Sequence, residues 1–151
     1  MDIEARLAAA TALIRLARGE DHRDRVDAAR GLAGFADLPE VGEVLLDLVL
    51  DKDDTYVTAV TAEALLRRGD MTALAIFCAG YAVAEYQHID ELAGTVQWTV
   101  GIVDRDRDAA VLICRGLIDD PARSDQVRAG AQALLTNLIE LRPVLLAEEK
   151  H

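Results

Sequence analysis

One short pattern returns three times along this chain, and the spacing of its copies limits the fold more than any other feature. The clearest copy is Val57-Thr58-Ala59-Val60-Thr61-Ala62-Glu63-Ala64-Leu65-Leu66-Arg67-Arg68-Gly69-Asp70. Upstream, Val26-Asp27-Ala28-Ala29-Arg30-Gly31-Leu32-Ala33-Gly34-Phe35-Ala36-Asp37 echoes it, and Val127-Arg128-Ala129-Gly130-Ala131-Gln132-Ala133-Leu134-Leu135 echoes it again. Val26 and Val57 are 31 positions apart and Val57 and Val127 are 70 apart, close to one and two helical hairpins. A hairpin of that length cannot bury its apolar face alone, so successive units must stack.

Helical periodicity runs nearly end to end. Ile3, Leu7, Ala10, Leu13, Ile14 and Ala17 recur at steps of three and four, which puts them on one face of a helix over 2–18 that ends at Gly19. Further helices are predicted over 22–36, 38–50, 55–68, 71–87, 90–103, 107–118 and 123–140. Asp37-Leu38-Pro39, Asp51 to Asp54, Gly69-Asp70, the charged turn Asp104 to Asp108, and Asp119-Asp120-Pro121 separate them. The run Met71–Ala84 is too short to span a bilayer and reads as a buried core helix. Trp98, within Val96-Gln97-Trp98-Thr99-Val100, is expected in the core, with an interaction hot spot as the alternative.

The central copy resembles the first helix and turn of the short bacterial HEAT-like repeat: Val-Arg, small residues including Ala, then Ala-Leu, then Gly-Asp. The resemblance covers most of residues 21–140 and fades over 90–119, and Asp27 and Thr58 stand where the pattern has Arg. It implies an all-α fold, an α-α superhelix in the form of a short solenoid of about four antiparallel hairpins. Residues 1–151 would form a single domain, with 1–18 as an N-terminal capping helix, 21–140 as repeats and 141–151 as an acidic C-terminal tail. It further implies that the second helix of each hairpin lines a concave surface.

Composition agrees with helices and narrows the partners. Of 151 residues 52% are apolar but only 4% aromatic, so the apolar mass is mainly Ala, Leu, Val and Ile, and Ala and Leu favour helix. The net charge of −11 rests on 27 acidic against 16 basic residues, with Lys52 and Lys150 the only lysines. No basic run exists to collect phosphates, so nucleic acid is excluded as a partner, and so is an anionic membrane surface. The acidic start Met1-Asp2-Ile3-Glu4 lacks the basic region of a secretory signal, which points to the cytoplasm. Cys78 and Cys114 sit in apolar helical segments and read as inert core thiols, with a disulfide as the alternative.

Two surface features are candidate partner-binding sites. Glu40, Glu43, Asp47 and Asp51 fall at steps of three, four and four, so they share one helical face. Tyr81, Glu85, Tyr86 and His88 form the second; Tyr and His carry apolar area with a polar tip, and Tyr81 and Glu85 are four apart. A solvated acidic face and a core helix whose end reaches solvent are the plain alternatives. No catalytic set emerges: Ser124 is the only serine, the three histidines are scattered, and no Cys/His spacing suits a metal. The expected function is a non-enzymatic protein–protein interaction module, without cofactor, that presents an acidic helical surface to a basic protein partner, in an immunity-like or adaptor-like role. The alternative comes from the resemblance: an enzyme-associated small-ligand- or chromophore-binding HEAT-like protein of the phycobilisome-lyase type. A HEAT-like DNA glycosylase would need a basic, aromatic-rich concave surface. A homodimer stays open, because solenoid ends expose apolar layers unless capped.

Overall fold

Aspartates cap half of the helix starts. The computed structural model describes residues 2–146. Asp2 caps α1 (Ile3–Ala17), Asp21 caps α2 (His22–Leu32), Asp54 caps α4 (Thr55–Arg68) and Asp70 caps α5 (Met71–Val83), each carboxylate accepting from a backbone N–H of the first turn. Ser124 does the same for α8 (Asp125–Glu140), and Pro39 occupies the first position of α3 (Pro39–Val49). Part of the acidity of this chain is therefore spent on helix termini, where the helix dipole favours negative charge. Gly69 closes α4 at φ +66, a conformation a side chain would resist.

Four of the predicted segments differ at their boundaries. The helix expected over 71–87 stops at Val83, and α6 runs over Gln87–Thr99. No Gly or Pro marks this break; Ala84 turns extended at ψ 138, and Tyr86 precedes α6 at φ 50. The expected charged turn is instead the first turn of α7 (Asp104–Asp119). The segment 22–36 ends in a short 3-10 turn, Ala33–Phe35.

All eight α-helices belong to one packed body, and no β-strand occurs among the described residues. One layer runs α2, α4, α6, each packed on the next. In the second layer α3 packs on α5, and α1 covers the outer side of α2 and α3. This is a stack of antiparallel hairpins, α2–α3 and α4–α5, with α1 as the cap. Its core is aliphatic: Leu32, Leu45, Leu65, Leu74, Leu92 and Leu134 are fully buried.

After α6 the stacking changes. The most extensive helix contact in the molecule is α5 with α8, and α7 packs mainly on α8. The third echo of the sequence pattern, at Val127, thus falls in a helix of the second layer, whereas Val26 and Val57 lie in the first. Glycine makes the α5–α8 approach possible: a Cβ at Gly130 would overlap the Cys78 carbonyl. On the opposite side of α5, a Cβ at Gly80 would come within 2.7 Å of Val49 Cγ1. Where α6 and α7 diverge, a cavity of about 320 Å³ remains between Leu66, Leu74, Val100, Ala110 and Ile113.

Residues 141–146 are tied down. The Leu145 N–H donates to the Ile102 carbonyl (2.8 Å), the Asp104 N–H to the Leu145 carbonyl (3.0 Å), and Arg107 Nη1 to the Leu141 carbonyl (3.0 Å). The acidic Glu148 and Glu149 of the expected tail lie outside the described residues.

Candidate interaction surfaces

The acidic stripe on α3 divides into three exposed carboxylates and one structural one. Glu40, Glu43 and Asp47 are exposed. Glu40 borders a small apolar groove of about 130 Å³ between α1 and α3, lined by Leu7, Ile14, Leu38 and Val41. Glu43 borders a larger groove of about 360 Å³ whose floor is Leu46, Ala75, Ile76 and Ala79 of α3 and α5. Val127, near the start of α8, and Arg123 just before it line that groove too, and Leu38 and Pro39 line both grooves. A ridge of negative charge therefore separates two apolar depressions. The second layer does not present α5 as an open surface: α8 covers much of it, leaving the groove floor.

Asp51, the fourth member of the stripe, turns inward. Its carboxylate pairs with Arg25, which donates from Nη2 to Oδ2 at 3.3 Å, and both side chains are about nine-tenths buried. Arg25 Nη1 also donates to the Gly19 and Glu20 carbonyls (3.1 and 2.7 Å). Arg25 Nε lies 3.3 Å from Asp51 Oδ1 without the alignment of a hydrogen bond. Asp51 Oδ2 accepts from the Asp54 N–H, and the Asp51 carbonyl accepts from His88 Nε2 at 2.6 Å. Asp51 thus joins the α3–α4 turn to the start of α6 and, through Arg25, to the α1–α2 turn.

The second candidate set comes apart. Tyr81 is a core residue: its ring stacks on Phe77 at 5.6 Å, and its hydroxyl accepts from Asn137 Nδ2 at 3.1 Å. His88 belongs to the Asp51 junction. Glu85 and Tyr86 alone remain at the surface, in the α5–α6 connection, with Tyr86 85% exposed. The expected shared face of Tyr81 and Glu85 does not form, because α5 ends between them.

Trp98 overturns its sequence expectation, being 74% exposed. Leu92, Val96 and Val100 form the buried row of α6 and its end. Trp98 lies two positions beyond Val96, about 200° around the helix, on the face of Asp90 and Gly94. The signal was legible in the four-residue steps from Asp90 to Gly94 to Trp98, but the valines on either side concealed it. Trp98, Asp90, Glu91 and Gly94 line a groove between α4 and α6, opposite Ala59, Glu63 and Arg67.

Cys78 on α5 and Cys114 on α7 are free and fully buried. The hydrogen bond with Cys114, together with burial, pushes the Cys78 thiol well above its ordinary range. Among the described residues no group of three or more His, Cys, Asp or Glu is placed to hold a metal ion, and no helix is long and apolar enough to cross a membrane.

No protein-family model matches the chain, and no curated protein matches it. A crystal structure of an engineered protein is similar at 19% identity, over 92% of this chain and 65% of that one, with a TM-score of 0.39.

Proposed function

We propose that this chain is a non-enzymatic interaction module of HEAT-like type whose α3 ridge receives a basic, amphipathic helix of another protein. The observation that carries this reading is the alternation across α3: apolar groove, exposed Glu40, Glu43 and Asp47, apolar groove. An amphipathic helix docks by laying apolar anchors in such depressions. Lysines or arginines flanking its apolar stripe would meet the ridge carboxylates, giving orientation and a fast encounter. The three carboxylates have no ion-pair partner among the described residues, so their charge stands available to a ligand.

A designed amphipathic Lys/Leu helix titrated calorimetrically tests the reading. Binding should weaken by about tenfold or more when salt rises from 50 to about 300 mM, because exposed charge pairs are screened over about a Debye length. Reversing the ridge with Glu40→Lys and Glu43→Lys should abolish binding while the circular dichroism spectrum stays unchanged. Salt-independent binding, or full binding by the reversed variant, would rule out the ridge.

A further inference from the structure

The α4–α6 groove lies in the first layer, away from the α3 ridge, and its chemistry differs. Its volume is about 370 Å³. Ala59 on α4 and Gly94 on α6 keep it open, and a Cβ at Gly94 would meet nothing within 4 Å. Along α6, Asp90, Gly94 and Trp98 stand four apart, and Glu91 is seven before Trp98, so carboxylates and indole share one face. Glu63 is neutralised by Arg67 at 2.8 Å across one turn of α4. Asp90 and Glu91 have no ion-pair partner among the described residues.

We infer that this groove binds a cationic side chain, arginine or lysine, carried by an extended segment of a partner protein. Tryptophan is the best aromatic acceptor of a cation over its face. Trp98 lines the groove and is 74% exposed, so its ring is accessible to a cation, and Asp90 and Glu91 carry the complementary charge on the helix turns before it. Arg67 is the groove's one cation and is already engaged by Glu63, so an anionic ligand such as a nucleic-acid strand finds no free counter-charge. An uncharged apolar segment would leave Asp90 and Glu91 facing it without solvation, which is costly. Charge and the exposed aromatic side chain thus select the same occupant.

Trp98 is the only tryptophan in the chain, so its fluorescence reports this groove alone. The probe is a tetra-arginine peptide at constant ionic strength, with a tetra-glycine peptide as control. The expected result is a saturable change in Trp98 emission with tetra-arginine and none with tetra-glycine. Asp90→Asn with Glu91→Gln should weaken the midpoint by about fivefold or more, the loss of two modest charge contacts. Glu40→Gln with Glu43→Gln should leave the curve in place, which separates this site from the α3 ridge. Unchanged emission, a response shared by both peptides, an Asp90/Glu91 variant that titrates like the parent, or a curve abolished by the α3 variant would each overturn the assignment.

Discussion

At the residue scale, the buried Arg25–Asp51 pair is the most consequential contact. Removing one partner of a buried pair leaves the other charge uncompensated, which costs about 3–5 kcal/mol. Asp51→Ala should therefore lower the unfolding free energy in urea by that order, whereas Asp47→Ala, one turn away and exposed, should change it by less than about 0.5 kcal/mol. Equal effects would mean that Asp51 is only another surface acid. Thr58 presents the opposite case: its Oγ1 is buried without a hydrogen-bond partner. Thr58→Val keeps the shape and removes the orphan hydroxyl, so a gain of about 1 kcal/mol is expected in the same measurement. Asp37 accepts both Arg6 Nη1 (3.1 Å) and Nη2 (2.8 Å), which ties the capping helix to the first hairpin. That hydrogen bonding lowers the Asp37 pKa below its ordinary 3.8. A lowered carboxylate adds stability that is complete above the ordinary value and is lost as pH falls through the lowered one. Melting temperature followed from pH 6 down to about pH 2 should fall less steeply for Asp37→Asn than for the parent. A parallel fall would show that the Arg6 contact carries no folding energy.

At the element scale, two glycines in helix interiors predict opposite signs. Helix propensity alone makes Gly→Ala stabilising by about 0.5–1 kcal/mol. Gly94 has open space around its missing side chain, so Gly94→Ala should follow propensity. Gly130 abuts the Cys78 carbonyl, so Gly130→Ala must push α8 from α5. Overpacking against backbone costs about 1–3 kcal/mol and sometimes more, and it exceeds the propensity gain. Denaturation midpoints of the two variants should move in opposite directions; a stabilised Gly130→Ala would contradict the close α5–α8 contact. The same contact explains why α7 is displaced. With α8 seated on α5, α7 finds its main partner in α8, and the pair expected over 90–119 opens into the cavity beside Leu66. The residue that decides this is Gly130, and in sequence it looks like part of one more copy of the repeat.

At the scale of the whole molecule, the two cysteines report on global opening. Both are fully buried, one on α5 and the other on α7. A thiol reagent should titrate neither in native protein and both after unfolding, at a rate that follows the denaturant dependence of unfolding. Rapid native-state reaction of Cys114 would mean that α7 detaches by itself. Helix identity and the first two hairpins were legible in the linear order because they rest on local signals: apolar residues at steps of three and four, Pro39 at a helix start, Gly69 at an end. Those signals act within a turn or two, so a sequence carries them whole. The exposed ridge of Glu40, Glu43 and Asp47 was legible for the same reason, being a matter of spacing on one helix. What escaped depends on distant residues. Asp51 matches its neighbours in type and spacing, and only Arg25, 26 positions earlier, draws it inward. Tyr81 became core because Asn137 and Phe77 receive it, and Trp98 became surface because Leu92 and Val96 took the buried side of α6. The sequence by itself determined that this protein is a stack of helices with an acidic exterior. The tertiary structure alone decided which helix lies on α5, since that choice turns on how closely two backbones approach, a quantity no local pattern records.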